Sequence, residues 1–591
     1  MLKKNTHPAS TASVEQLHAA QAQRIDGWGR LYITILLLIF ALLLARVVQL
    51  KTSPDPRLEQ ADGTSISTRT ALGKRGDIFD RRGRVLATST MGYRLFLDPQ
   101  IVPDIDTIAV DLAHLIDEDP VAIDRKIIPR RDRRYVVIDH LLEGWQVDAI
   151  RRANLPGVGL KPRLVRHYPN DPVGAALIGR VGFEHDGLSG LEYTFNDTLA
   201  PSHGKLTYLR DAHRQALWID PDGYTPKRDG RPVRISLDLV IQETAERRVR
   251  QAVEQYNAGG GRLVAINCRT GEILAMVDVL NTPEGREAVT ADPMRDKHPS
   301  LGRNRCVSDP YEPGSTFKPF AWSVATELEK ATLDEQIPTP ASGYHITSEG
   351  RPIRDVHGRA DATWREVLIH SMNSGMAIVA ERLSHKQMQS VLRRFNFGEK
   401  TYCGLPGESP GIITSPNNWN HYTQTSVAMG HEIAVTPVQT VRAFSAFARD
   451  GTLVELRVTA PDEKDAEYQL IDRAVSESTA KITRQTMRQV ITEGTGRKAQ
   501  SDRYKIFGKS GTAQLPNREE GGYYENRYVS SFIAGAPLDD PRVIVLCVID
   551  DPDRSISHWG GVVAAPVVKD VIEHTLSYLG VPSDVLAKGT K

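Results

Sequence analysis

Ser315 and Lys318 stand three positions apart in YEPGSTFKPF, residues 311–320, behind a Pro313-Gly314 turn and ahead of an apolar run at helical spacing. The spacing predicts a helix with Ser315 at its mouth and Lys318 one turn on, on the same face. That arrangement suits a nucleophile and its proton acceptor. A serine hydroxyl is weak until a neighbouring base takes its proton. A lysine serves as that base when burial and the positive end of a helix hold its pKa down. Spacing alone does not single the pair out, because Ser202…Lys205 and Ser478…Lys481 share it. The first lies in a Pro-Ser-His-Gly loop and the second in a polar helical stretch, so both read as solvated surface pairs.

Two further motifs follow in order, Ser371-Met372-Asn373 and Lys509-Ser510-Gly511-Thr512. Ser-x-Asn recurs at Ser415-Pro416-Asn417, whereas Lys-Ser-Gly occurs once. It follows Tyr504–Phe507 and precedes Ala513-Gln514, the pattern of a strand whose glycine lets a ligand approach the backbone. The ordered trio is the signature of penicillin-recognising serine acyltransferases. From about residue 31 to about residue 582 the chain resembles a class B penicillin-binding protein, a monofunctional peptidoglycan D,D-transpeptidase. Within that class it is most similar to the division type (FtsI) and its sporulation (SpoVD-like) relatives. Ser510 stands where many members have threonine, and either supplies a hydroxyl.

The resemblance implies the roles. Ser315 attacks the penultimate D-Ala carbonyl of a stem peptide, D-Ala leaves, and an amine on a neighbouring stem takes the acyl group. Lys318 accepts the serine's proton and Ser371 relays one toward the leaving amine. Asn373 holds Lys318 and a substrate amide. Lys509 supplies positive charge, which keeps Lys318 neutral and attracts the substrate carboxylate, with Ser510, Gly511 and Thr512 lining that subsite. The backbone N–H groups of Ser315 and Thr512 form the oxyanion hole. No cofactor and no metal are implied.

These residues need a scaffold. The length of 591 residues allows several cores, and 74 basic against 73 acidic side chains give no argument for nucleic acid. Cys268, Cys306, Cys403 and Cys547 have no zinc-ligand spacing and read as inert thiols. Asp238 caps an amphipathic helix, RLVAIN and EILAMVDV form a hairpin about Arg269-Thr270-Gly271, and the stretch 361–384 is helical. The Lys509 strand follows, then a polar loop over 515–528. A hairpin about Asp539-Asp540-Pro541 and the closing helix VVKDVIEHTLSYLG complete the order. The reading is mixed α+β, with an antiparallel sheet sandwiched by helices in a transpeptidase domain over 234–582, and a C-terminal tail over 583–591.

Ahead of it, residues 73–233 read as an elongated α+β pedestal of the dimerisation type. Its Arg75–Ala87 segment is a charged hairpin whose salt bridges hold the pedestal to the later domain. His167, His185 and His203 there read as ordinary polar residues. Residues 51–72 read as a linker, 31–50 as a single transmembrane helix flanked by Trp28 and Tyr32, and 1–30 as a disordered cytoplasmic tail. The implied location is the bacterial cytoplasmic (inner) membrane, with the catalytic domain outside. A β-lactamase would need neither pedestal nor anchor, a D,D-carboxypeptidase usually lacks this pedestal, and a β-lactam sensor would carry several spans. An elongation or sporulation role, and a division scaffold with little catalysis, remain alternatives to a septal role. The implied partners are stem peptides, β-lactams, the membrane, division proteins and a SEDS glycosyltransferase of FtsW or RodA type, with no nucleic acid.

Overall fold

The computed structural model describes residues 12–53, 66–210, 216–460, 472–517 and 521–585. The chain divides into two compact units, residues 1–72 with 203–227, and residues 73–202 with 228–591.

The first unit holds helix α1 (Ala12–Thr52), whose segment Asp26–Thr52 is long and apolar enough to cross a membrane, with a mean hydropathy of 2.7. Trp28 and Tyr32 are exposed at its start. Residues 12–30, expected to be disordered, are therefore helical; residues 1–11 of that tail lie outside the described residues. The linker reading of 51–72 also needs correction, because β1 (Ile66–Ala71) is a strand, while residues 54–65 lie outside the described residues. Its partner is β6 (Gly204–Arg210), which also pairs with β7 (Ala216–Thr225). Within the stretch expected as pedestal over 73–233, β6 and β7 thus pair with one another and with β1.

The second unit opens with the remaining pedestal. β3 (Val85–Leu97) is flanked by β4 (Val136–Leu142) and β5 (Val158–His167), and its start pairs with β2 (Ile78–Phe79). β2 runs parallel to β8 (Val233–Arg234), with Ile78 opposite Val233. Helices α2 (Ile105–Ile116) and α3 (Pro120–Ile127), capped by Asp104 and Asp119, bury one apolar stripe each beneath this sheet.

The charged hairpin forms a clamp as expected. Arg84 binds the fully buried carboxylates of Asp80, through Nε at 2.7 Å, and of Asp238, at 2.6 Å. Asp80 also accepts from the backbone N–H of Leu239, and Arg81 reaches Glu272 at 3.3 Å. Burial alone would push the Asp80 carboxyl up; the Arg84 guanidinium and the backbone N–H groups outweigh it and hold it low. A second buried cluster sets Glu192 between Arg75 and Arg166, each at 2.7 Å.

Beyond the clamp, helix α4 (Leu239–Gln255) is capped by Asp238. Strands β9 (Gly260–Asn267), β10 (Ile273–Leu280), β11 (Phe507–Pro516), β12 (Tyr523–Ala536) and β13 (Val543–Asp550) form an antiparallel sheet in the order β10-β9-β13-β12-β11. Every residue of β13 is buried, because both faces are covered. Val543, Val545, Cys547 and Ile549 pack with α4 and with the closing helix Ala565–Tyr578. Ile544, Leu546 and Val548 face the other core, which contains the catalytic helices. Much of the polar loop expected over 515–528 is instead the two ends of β11 and β12, with residues 518–520 outside the described residues. All four cysteines are buried, and burial pushes each thiol up.

Candidate active site

Ser315 lies in a 3-10 turn, Gly314–Phe317, that runs directly into helix α5 (Lys318–Glu327). Phe317 and Phe320 are fully buried among Phe395, Phe397 and Phe447, which fixes the turn on the core. Gly314 has φ +53° and donates its N–H to the Gly430 carbonyl at 3.0 Å. A side chain on Gly430 would meet the Gly314 carbonyl at 2.0 Å, so this approach demands glycine. Ser315 itself is half-buried, while Lys318 is fully buried.

Lys318 turns its amine toward the second motif. Its Nζ lies 2.6 Å from the Ser371 carbonyl, 2.7 Å from Asn373 Oδ1 and 3.4 Å from Ser371 Oγ. Ser371 occupies the gap between helices α6 (Trp364–Ile369) and α7 (Asn373–Ala380), with φ +59°. A non-glycine residue there costs about 1 kcal/mol. In return it presents both its carbonyl and its hydroxyl to the lysines.

The third motif closes the group from the sheet. Lys509 on β11 is fully buried and donates to Ser371 Oγ at 2.8 Å and to the Ser510 carbonyl at 3.1 Å. One hydroxyl oxygen therefore stands between two lysine amines. A Cβ on Gly511 would lie 2.7 Å from the Pro313 carbonyl and 2.8 Å from Thr316 Cγ2, so its bare backbone lets β11 approach the Ser315 turn. Ser510 Oγ is 2.8 Å from Thr495 Oγ1, and Thr512 Oγ1 accepts the Gly560 N–H at 3.0 Å. All three motifs thus converge. By contrast, Ser202 and Lys205, like Ser478 and Lys481, are exposed.

Burial pulls the Lys318 pKa down to about 7, although the nearby Asp355 carboxylate raises it. Lys509 is held well below 10.5 by burial and then by Lys318. Each amine is thus held down mainly by burial, and the two cations oppose one another. Near neutral pH the pair therefore carries one proton in preference to two, and the Asp355 carboxylate favours the charge on the Lys318 side.

Several residues carry no sequence signal for their part in the site. Asp355 accepts the Ser374 N–H at 2.9 Å, and also binds the Asn373 N–H and the Ser374 hydroxyl, so it holds the start of α7. Thr495 belongs to the site through its hydroxyl contact with Ser510. Glu312, three residues before Ser315, binds His431 Nδ1 at 2.9 Å and the Tyr523 hydroxyl at 2.9 Å. It ties the β11–β12 hairpin to the nucleophile's loop. Among the described residues no three His, Cys, Asp or Glu side chains group as metal ligands.

Comparison with known proteins agrees with this geometry. Residues 261–573 match the penicillin binding protein transpeptidase domain, and residues 70–235 the penicillin-binding protein dimerisation domain. The probable peptidoglycan D,D-transpeptidase PenA of Neisseria meningitidis is 31% identical over 92% of this chain and 91% of its own. The stage V sporulation protein D of Bacillus subtilis is 31% identical over 86% of this chain and 79% of its own. Penicillin binding protein 3 of Mycobacterium tuberculosis, crystallised with aztreonam, shares the fold with a TM-score of 0.63 at 24% identity, covering 87% of this chain and 98% of its own. With the three motifs joined in one site and a transpeptidase match spanning more than half its length, the chain belongs to the penicillin-binding protein transpeptidase family.

Proposed function

We propose that this protein is a membrane-anchored serine D,D-transpeptidase that cross-links peptidoglycan stem peptides and is acylated by β-lactams. The observation that carries the reading is the joining of Lys318, Ser371 and Lys509 through one hydroxyl beside the Ser315 turn. Ser315 Oγ forms the new bond to the penultimate D-Ala carbonyl, and its proton passes to neutral Lys318. As the peptide C–N bond breaks, Ser371 passes a proton to the departing D-Ala amine. The acceptor amine of a second stem then attacks the ester, loses its proton by the reverse route and regenerates the Ser315 hydroxyl. The backbone N–H groups of Ser315 and Thr512 bind the developing oxyanion, each donor worth about 3 kcal/mol.

The substrate carboxylate supplies what Lys509 lacks, a counter-ion. Once it binds beside Ser510, Gly511 and Thr512, the proton held by Lys318 moves to Lys509. Lys318 is then the free base that Ser315 needs, with Asn373 holding its amine. Labelled penicillin tests the assignment. The modified peptide should contain Ser315, and Ser315→Ala should not be labelled. Label on another residue refutes it.

The finer reading places the catalytic domain outside the cytoplasmic membrane, in septal wall synthesis, paired with a SEDS glycosyltransferase of FtsW or RodA type and with division proteins. Its support is the apolar segment of α1 and a chain whose matched domains are dimerisation and transpeptidase, so that strand polymerisation needs another protein. A fluorescent fusion confined to the side wall contradicts the septal role. Unchanged recovery of a polymerase after replacement of residues 31–50 and deletion of the pedestal contradicts the proposed contact.

A further inference from the structure

The pedestal sheet has a free edge. β4 pairs with β3 through Tyr93 opposite Leu142 and Leu97 opposite Val136, and it ends the sheet order; among the described residues no strand pairs with its other side. Along that side runs a groove of ≈ 610 Å³ lined by Val136–His140 together with Glu118, Lys126, Arg130, Arg133 and Tyr135. Lys126 reaches from α3 and donates to the Ile138 carbonyl at 2.9 Å. Ile138 therefore turns its backbone away from β3 and toward the groove. Strand edges with unpaired backbone groups are templates for a further strand.

Glu118 in the lining is paired with Lys126, and Asp139 is the lining's other carboxylate, while the segment that leads into the strand is predominantly basic. Residues 125–134 carry six basic side chains and one acidic, Asp132, in a chain whose net charge is +1. Arg130, Arg131 and Arg133 are exposed. Among the described residues the salt bridge of this segment is Lys126 with Glu118, at 3.3 Å, so none of the five arginines has a carboxylate partner. Exposed Tyr135 adds apolar surface beside the edge.

We propose that β4 is a docking edge for an extended acidic segment of a partner protein. The segment adds as a strand along Val136–His140, takes the Ile138 carbonyl from Lys126, and sets its carboxylates against Arg130 and Arg133. A second copy of this chain is the wrong occupant, because pairing two such edges would bring two basic clusters together. An anionic lipid surface would engage the arginines but has no use for the strand edge.

The test uses the full-length protein in neutral-lipid nanodiscs and a fluorescent peptide alternating Glu with Val or Thr over nine residues. Expected are saturable anisotropy binding and slowed amide exchange at Ile138. Affinity should fall about tenfold when alternate peptide nitrogens are methylated, and about tenfold in Arg130→Glu/Arg133→Glu. Penicillin labelling of that variant should be unchanged, which shows that it is folded. Equal affinity for the methylated peptide overturns the proposal in favour of charge alone. So does displacement of the peptide by phosphatidylglycerol vesicles without any change in Ile138 exchange. Self-association of the wild-type chain that the double variant abolishes would assign the edge to a second copy instead.

Discussion

Removing the ligand's carboxylate should invert the pH dependence of acylation. Burial brings Lys318 from 10.5 to about 7 and holds Lys509 well below 10.5, and the two cations repel, so the free pair shares one proton that leaves as the pH rises through about 7. A group with a pKa near 7 is about nine-tenths protonated at pH 6, half at pH 7 and one-tenth at pH 8. With a carboxylate ligand, the reacting complex has Lys509 charged and Lys318 neutral, which is one proton in total. Its second-order rate constant therefore follows the one-proton form of the free enzyme and falls about tenfold from pH 6 to pH 8. A penicillin methyl ester has nothing to charge Lys509, so its reacting complex holds no proton. Its rate constant, lower overall, should rise about tenfold over the same range.

Stopped-flow acylation of the detergent-solubilised protein measures both profiles. Binding to Ser315→Ala gives a second reading, since the carboxylate ligand should take up about one proton at pH 8 and almost none at pH 6. Calorimetry in buffers of different ionisation heat counts that proton. Parallel profiles for acid and ester, or no uptake at pH 8, would refute the proton transfer between the lysines.

Asp355→Asn keeps an oxygen for the two backbone N–H groups at the start of α7 but loses the charge that favours protonated Lys318, so the falling limb should move to lower pH. A limb that stays in place would mean that the carboxylate acts on position alone. Gly511→Ala forces a methyl within 2.6 Å of Ser531 Oγ and 2.7 Å of the Pro313 carbonyl, and β11 must retreat from the nucleophile's turn. Acylation should slow by at least about tenfold and stability fall by about 1–3 kcal/mol; wild-type acylation would show that the turn yields instead. Arg84→Met strips the buried Asp80 and Asp238 carboxylates of their shared cation, a loss of about 2–3 kcal/mol once the partial exposure of Arg84 is allowed for. The first thermal transition should drop while penicillin labelling at low temperature persists; an unmoved transition would make the clamp energetically neutral.

Where the sequence was legible, local chemistry and long-range structure agreed. The hairpin about Asp539-Asp540-Pro541 is present as β12 and β13, and β13 lies third in a five-stranded sheet. Asp238 announced its helix, and the charged hairpin its clamp. The failures share a cause. β1 is the polar hexapeptide ISTRTA, and its partner β6 lies beyond residue 200, so neither pattern nor neighbours mark it as a strand. The ends of β11 and β12 extend past the core, where no buried face requires alternation, and they read as loop. Asp355 sits in a short polar segment, and its role arises when the chain returns at Asn373 and Ser374.

The order of charge between Lys318 and Lys509 belongs to the same class and has the largest consequence. By residue type the two are identical, and composition cannot say which holds the proton. The structure gives the two an asymmetry of surroundings. Asp355 stands near enough to Lys318 to favour its charged form, while Lys509 faces a hydroxyl and a carbonyl. Where Lys318 holds the shared proton it cannot accept another from Ser315. The missing element is a second carboxylate, and the substrate brings it in the group that must be recognised. On the proposed mechanism, binding draws the shared proton to Lys509 and frees Lys318 when the peptide end is in place. Without that charge Ser315 is activated through the proton-free pair alone, so the proposed transfer predicts a preference for a peptide C-terminus over a neutral amide that is greatest at low pH.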